Sequence, residues 1–400
     1  MKNRLAYSCF LFSVFCLSFY NFLTLTLSSV SDPSARAEEK LGGDLINDEI
    51  EDESKETLDL LGATEYERIP EPNIFFPAEV ESAIPEIESH ETRCARFQEN
   101  ILQGIKKTEP PGWETCGRPN NAFVHLDDDT PACVRHREPH QFLVAGELLS
   151  FVLARILGLS TVPCVQLATV EPAEKWQINV TKLGWGETGT VAVTEWVSGL
   201  SKLKMPEKLL HALIVQKPLH FTHVEHESLD FKVLLAQWTD MILFDYLTGH
   251  YDRFASLQDE ADKQKQESLL FDRVRNVAVD RKNLLWFFDN EAGLLDAYVL
   301  LYKPTANKED QRFQRFHNHM LNSVCVFRRR TVHLLSRLYQ NGKAASFLLQ
   351  TAYAQQPLLG TVDGAYGENR LAYFHKYFEK RLTHLIWHFK HCADSATKQR

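Results

Sequence analysis

Trp238-Thr239-Asp240-Met241-Ile242-Leu243-Phe244-Asp245-Tyr246-Leu247-Thr248-Gly249-His250-Tyr251-Asp252-Arg253 is the stretch on which the reading of this chain turns. Together with the residues before it, 229–247 carries apolar side chains at helical spacing, and Gly249 marks the stop. The turn that follows presents Asp252 beside Arg253. Further on, Leu284-Leu285-Trp286-Phe287-Phe288 has the continuous apolar pattern of a buried strand and runs directly into Asp289-Asn290-Glu291. An acid on a loop after a helix and another at the end of a strand suit phosphoryl transfer. One accepts a proton from an attacking hydroxyl, and the other holds a divalent cation on nucleotide phosphates. Spacing alone equally suits two turn or helix-cap aspartates.

Outward from this stretch, 122–126 and 132–135 read as short strands around the turn Asp127-Asp128-Asp129-Thr130. Residues 142–157 predict a strongly apolar helix stopped by Gly158. Strand-like runs follow at 162–170 and 191–196, separated by a turn region at 184–189. Beyond the 229–247 helix, amphipathic helices are predicted over 322–338 and 370–391. The charged run from Asp259 to Lys265 and onward reads as a solvated surface excursion within the 37-residue spacing from Asp252 to Asp289. Strands early and helices late make an α+β chain of two lobes with a cleft between them.

The 400 residues, 44% hydrophobic, suffice for a sizeable core, and a net charge of −9 leaves no basic footprint for nucleic acid. Much of the acidity lies in 28–91, rich in Glu and Asp with scattered Pro, which reads as a solvated, disordered stem. Ahead of it, Lys2 and Arg4 precede an uncharged apolar run over 5–27. As a helix that run spans roughly 35 Å, enough for a bilayer. The expected organisation is a cytoplasmic tail at 1–4, a signal-anchor at 5–27, the stem at 28–91 and a lumenal domain at 94–392, in type II orientation. Ala35-Arg36-Ala37 fits a cleavage site and leaves a secretory signal peptide as the alternative.

Either way the body enters the secretory pathway. Asn179-Val180-Thr181 is a glycosylation sequon, and six cysteines beyond the apolar run (Cys94, Cys116, Cys133, Cys164, Cys325, Cys392) suit disulfides in an oxidising lumen. No Cys-x-x-Cys pair occurs among them, which disfavours zinc. Spacing does not fix connectivity; the pairings expected are Cys116 with Cys133 across a hairpin, and Cys325 with Cys392 tying down the C-terminal helix.

The ordered string from 240 to 247, Asp252-Arg253 and Phe288-Asp289-Asn290-Glu291-Ala292-Gly293 resembles the atypical secretory-pathway kinases. The closest resemblance is to the Four-jointed kinase family, related to the Golgi casein kinase. Gly146-Glu147-Leu148-Leu149-Ser150, Cys116-Gly117-Arg118 and the run from Ser323 to Thr331 resemble that family too, so the likeness covers roughly 94–392. It implies an atypical bilobal protein-kinase-like fold, with ATP and Mn²⁺ or Mg²⁺ as cofactors. It also implies Asp252 as the base for a Ser or Thr hydroxyl and Asp289 as the metal ligand. Glu147 matches the acid of the first-lobe helix. As the only acid on an otherwise apolar helix it also needs a cationic partner. Arg135, where the family carries its nucleotide-phosphate cation, is the expected partner, with Arg137 as fallback. The resemblance further implies a Golgi membrane protein acting on extracellular cadherin domains of the Fat and Dachsous type, in planar polarity and growth signalling. Secretion after cleavage is compatible with it.

One departure stands out. Most kinases carry an Asn five residues after the catalytic Asp to help bind a second metal, whereas this chain has Leu257, flanked by Ser256 and Gln258. Gln258 or Asp259 could substitute, the loop could be shortened, or catalysis could be weakened. The last option keeps open a kinase-like secreted binding or regulatory module. A Golgi glycosyltransferase holding Mn²⁺ through Asp127 and Asp129 is the second alternative.

Overall fold

The computed structural model describes residues 74–398 apart from 86, 89, 111, 113–114, 119, 170–184, 186–188, 304–310 and 363–366. The expected membrane segment, Asn179 and most of the expected stem lie outside the described residues. Among the described residues no helix is long and apolar enough to cross a membrane.

Ile74, Phe76 and Val80 are fully buried, and helix α1 (Ala78–Ser82) packs on the body, so the folded region begins well before the expected stem boundary at Glu91. The apolar Ile-Phe-Phe triplet overrides the acidic surroundings: Phe75 bridges Phe327, and the Phe76 N–H donates to the Phe327 carbonyl at 2.9 Å. Helix α2 (His90–Gln103) then leads into strands β1 (Ile105–Glu109), β2 (Asn121–Leu126) and β3 (Pro131–Arg135). The β2–β3 hairpin is the expected one, with Phe123 opposite Cys133 and Asn121 opposite Arg135. Helix α3 (Gln141–Ile156) follows, capped by Gly158 at φ 63°, where the left-handed backbone costs glycine little. Strands β4 (Val165–Thr169) and β5 (Thr190–Glu195) complete an antiparallel sheet of order β1-β2-β3-β5-β4.

The second lobe opens with β6 (Ser201–Lys204) and α4 (Glu207–Ile214) and is built on α5 (Leu229–Thr248). Ser228 caps α5 by accepting from the Phe231 N–H, and nearly every residue after the first turn is buried. An apolar character all round is what a core helix needs. Gly249, at φ 70°, ends it, and the His250 N–H returns to the Asp245 carbonyl at 3.1 Å. Helix α6 (Phe254–Gln264) begins almost at once, followed by β7 (Arg273–Val279) and β8 (Leu285–Phe287), which pair antiparallel beside β6. Helices α7 (Ala297–Tyr302), α8 (Arg312–Asn322), α9 (Arg329–Gln340), α10 (Ala344–Gln355) and α11 (Gly367–Lys398) close the lobe. The architecture is thus the expected α+β, a strand-rich lobe followed by a largely helical one.

Two sequence expectations fail here for identifiable reasons. The charged run from Asp259 begins as the packed second half of α6, which ends at Gln264, and only from residue 262 onward is it the exposed surface segment expected. Leu257 and Ala261 enter the core, while Asp259 is engaged by Lys263 at 2.7 Å and by Arg312. The single helix expected over 322–338 is broken, because 324–327 is spent on long-range pairing. Val324 bridges Leu219, Phe327 bridges Phe75, and Cys325 is bonded to Cys392 on α11. Both expected disulfides, Cys116–Cys133 and Cys325–Cys392, are present, and a third joins Cys94 on α2 to Cys164.

Candidate active site

Strand β3 ends in Arg135, and helix α3 carries Glu147 one turn and a half inside its start. Both side chains are almost wholly buried, so each needs a counter-charge. The Arg135 guanidinium supplies it, lying 3.0 Å from Glu147 Oε2 and 2.5 Å from Asp289 Oδ1 through the same Nη1. Glu291, two residues on, is 3.8 Å from Arg135 and is held more closely by Arg137 at 2.7 Å and Arg118 at 3.3 Å. Three carboxylates therefore face three guanidiniums where the lobes meet. Arg137 serves Glu291 and Asn121 rather than Glu147, so it is not the partner of the helix acid.

The electrostatics follow from burial and order of contact. Burial pushes Glu147 up to about 7 even though Arg135 pulls the other way. Burial also pushes on Asp289, but there Arg135, aided by Arg118 and Arg137, outweighs it and leaves the carboxyl below its ordinary range. Asp289 stays ionised across the neutral range, the state in which a carboxylate can hold a cation.

Backbone geometry sets these groups in place. Asp289 adopts a left-handed conformation (φ 59°), which turns the chain sharply from β8 into a short 3₁₀ turn at 290–292. That turn lies hard against α3. A Cβ placed on Gly146 would come within 2.8 Å of the Glu291 carbonyl oxygen and 3.1 Å of that of Gly293, and Ser150 Oγ donates to the Asn290 carbonyl at 3.3 Å. Gly146 lets the helix approach, and Glu147, its neighbour, reaches Arg135 as a result.

Asp252 is half-buried at the mouth of the turn after α5. Burial and the neighbouring Asp289 charge raise its carboxyl above the ordinary value. Among the described residues no cation lies within ion-pairing distance of it, whereas Arg253 beside it is 0% exposed and fully committed. Arg253 pairs with Asp245 and donates to the Asn290 Oδ1 at 2.7 Å, the Asn276 carbonyl at 3.1 Å and the Phe288 carbonyl at 3.3 Å. His250 Nε2 donates to the Asp289 carbonyl at 2.9 Å, tying the same turn to the 289 strand end. The turn thus exposes one carboxylate and locks the rest.

Sequence reasoning missed Asn276 on β7. Its Nδ2 donates to the Asp252 carbonyl at 2.9 Å and approaches Asp252 Oδ2 at 3.4 Å. The residues weighed for that neighbourhood sit elsewhere. Leu257 is core, Asp259 is bound by Lys263 and Arg312, and Gln258 lines a groove with Leu213 and Phe316. An Asn in an unremarkable Arg-Val-Arg-Asn-Val strand offers no signal beyond its readiness for a left-handed φ.

The triple aspartate forms no comparable site. Asp128 accepts from the Thr130 N–H at 2.9 Å and from Asn100, and Asp129 pairs with Lys106 at 2.8 Å. They occupy the hairpin turn, at the opposite end of β3 from Arg135. The grouping of Cys325, Cys392 and His388 is likewise no metal centre, since both cysteines are disulfide-bonded.

The residues at the lobe junction fit a divalent cation bound with polyphosphate. Asp289 offers hard oxygen at a carboxylate about one-third exposed (31%), and Arg135 has a buried Nε with no hydrogen-bond partner, a donor available to phosphate oxygen.

Residues 89–395 match the family model described as the Four-jointed box protein middle domain. Four-jointed box protein 1 of Mus musculus is 32% identical over 286 residues, covering 69% of this chain and 59% of that protein. The Drosophila melanogaster extracellular serine/threonine protein kinase four-jointed is 26% identical over 278 residues, covering 57% of this chain and 46% of that protein. The chain spans about half to three-fifths of the length of these curated relatives. Among solved structures, the Golgi casein kinase is similar over 92% of this chain and 95% of its own, at 11% identity and a TM-score of 0.45.

Proposed function

We propose that this chain, which belongs to the Four-jointed box family, is a Golgi-lumen protein kinase that transfers the ATP γ-phosphoryl to Ser or Thr. The observation that carries the reading is the Arg135 guanidinium bridging Glu147 and Asp289, together with a half-buried Asp252 that has no ion-pair partner among the described residues.

Each residue has a task on this reading. Arg135, kept charged by its carboxylate neighbours, binds phosphate oxygens through its free Nε, while Glu147 fixes its fork. Asp289 holds Mg²⁺ or Mn²⁺; when bound, the cation neutralises charge on the transferring phosphates. Asp252 accepts the hydroxyl proton, and its raised proton affinity helps it do so. Arg253 keeps the Asp252 turn fixed without touching a reactant. Positioning and electrostatics supply most of the acceleration, as phosphoryl transfer requires.

The name of the Drosophila relative, an extracellular serine/threonine protein kinase, supports Ser or Thr of a protein as the acceptor. Cadherin domains of the Fat and Dachsous type as substrates, a role in planar polarity and a type II Golgi anchor at 5–27 are part of the same proposal. The disulfides Cys94–Cys164, Cys116–Cys133 and Cys325–Cys392 support an oxidising compartment.

The test is incorporation of phosphate into a purified cadherin domain by the lumenal protein, alongside Asp252→Ala and Asp289→Ala. Activity in the wild type alone is expected. Equal incorporation by all three would sink the proposal. Binding of ATP–Mn²⁺ with no turnover by any of them would favour the non-catalytic binding module, the reading that Leu257 favours.

A further inference from the structure

We propose that Asn276 is a positioning residue for Asp252, holding the acid and its turn from strand β7; the inference rests on the kinase reading above. The loop itself has no room for such a residue. Helix α6 starts at Phe254, and the position five beyond Asp252 is Leu257, buried in the core. The chain meets the need from across the site. Asn276 Nδ2 donates to the Asp252 carbonyl at 2.9 Å and approaches its Oδ2 at 3.4 Å.

Asn276 sits where the two halves of the site join. Its carbonyl accepts from Arg253 Nε at 3.1 Å and from the Phe288 N–H at 3.1 Å. Strand register pairs Val277 with Phe287, which places Asn276 beside the residue preceding Asp289. One residue thus touches the Asp252 turn through its side chain and the Asp289 strand end through its backbone. The identity of the residue follows from chemistry. Its φ of 55° favours Asn or Gly. A neutral amide donor orients a carboxylate without neutralising it, whereas Lys or Arg would form an ion pair and weaken the base, and Asp would repel it.

Asn276→Gly isolates the side chain, because glycine accepts the left-handed backbone and keeps both carbonyl contacts. The expected result is a kcat lowered about ten- to a hundred-fold, from loss of orientation, with the KM for ATP within about twofold. The melting temperature should stay within about 2 °C of wild type. Asn276→Asp should lose at least as much kcat while folding normally. An unchanged kcat in Asn276→Gly would overturn the proposal. So would a loss shared between a raised KM for ATP and a lowered melting temperature. A crystal structure of Asn276→Gly gives a readout independent of turnover: the Asp252 carboxylate should rotate from its wild-type position, and an unmoved carboxylate overturns the inference. A wild-type protein that transfers no phosphate would refute the kinase reading, and the Asp252 displacement would then decide the role of Asn276 by itself.

Discussion

Gly146→Ala separates two opposing effects at the lobe junction. In an exposed helix the change stabilises by about 0.5–1 kcal/mol, since alanine loses less backbone freedom on folding. Here the new methyl group would lie 2.8 Å from the Glu291 oxygen and 3.1 Å from that of Gly293. The nearer contact falls about 0.6 Å short of ordinary van der Waals distance, and both neighbours are backbone atoms that cannot swing aside. Overpacking of this kind costs about 1–3 kcal/mol, so a net loss on the order of 1 kcal/mol is expected. In a domain of this size that lowers the melting temperature by only about 2 °C. Activity should respond more. Helix α3 can relieve the clash only by moving away from the 290–293 turn, and Glu147 moves with it relative to Arg135. With a misplacement of 1 Å able to cost about a hundred-fold, half that distance should lower kcat/KM about ten-fold. Thermal unfolding and steady-state phosphorylation measure the two halves. Gly360→Ala, where a Cβ meets nothing within 4 Å, is the control. A Gly146→Ala protein as stable and as active as wild type would show that helix propensity dominates and that the close approach does not position Glu147.

Arg135→Met should destabilise by about 3–5 kcal/mol in urea unfolding, because Glu147 is left buried and unpaired. Adding Glu147→Leu should recover part of that loss without restoring activity, and a double variant no more stable than the single would refute the account. The Cys94→Ala/Cys164→Ala pair opens a loop of 70 residues, worth about 4 kcal/mol of chain entropy, and a shift in urea midpoint corresponding to less than about 1 kcal/mol would contradict it. Stability should also fall as pH drops below the ordinary histidine value of 6.5. Burial holds His317 down to about 3 and His388 to about 4, so the unfolded chain takes up protons that the folded one refuses. Each contributes up to about 1.4 kcal/mol per pH unit, lost progressively from pH 6.5 toward those lower values, and flat urea midpoints from pH 7 to 5 would exclude the effect.

How much of this was legible in the sequence depends on the range of the interactions involved. The β2–β3 hairpin, the α3 and α5 helices with their glycine stops, and the strand running into Asp289 are local patterns, and they stand where the sequence put them. That Glu147 needs a cation was also legible, since a single acid on an apolar helix must find one, whereas Arg135 as that cation came from the family resemblance. The failures are long-range. The break at 323–328 comes from pairing with Leu219 and Phe75, more than a hundred residues away, and no helical periodicity reports it. Helix α6 was hidden because its exposed face is charged and its apolar anchors, Phe254, Ala255, Leu257 and Ala261, are concentrated in its first half. Asn276 was invisible because its importance lies in a left-handed turn of the backbone and in a neighbour 24 residues earlier.

Arg253 has a consequence for anyone sorting sequence variants of this protein. It is wholly enclosed and spreads its donors over the Asp245 carboxylate, two carbonyls and the Asn290 amide oxygen, so no substitute can satisfy all of them. Truncating it would strand Asp245 as an unpaired charge, a loss of several kcal/mol that shows up in cells as reduced abundance. A screen scoring only lost signal would file Arg253 with the chemistry, next to Asp252. Immunoblotting would tell the two apart: missing protein in one case, full-length and inert protein in the other.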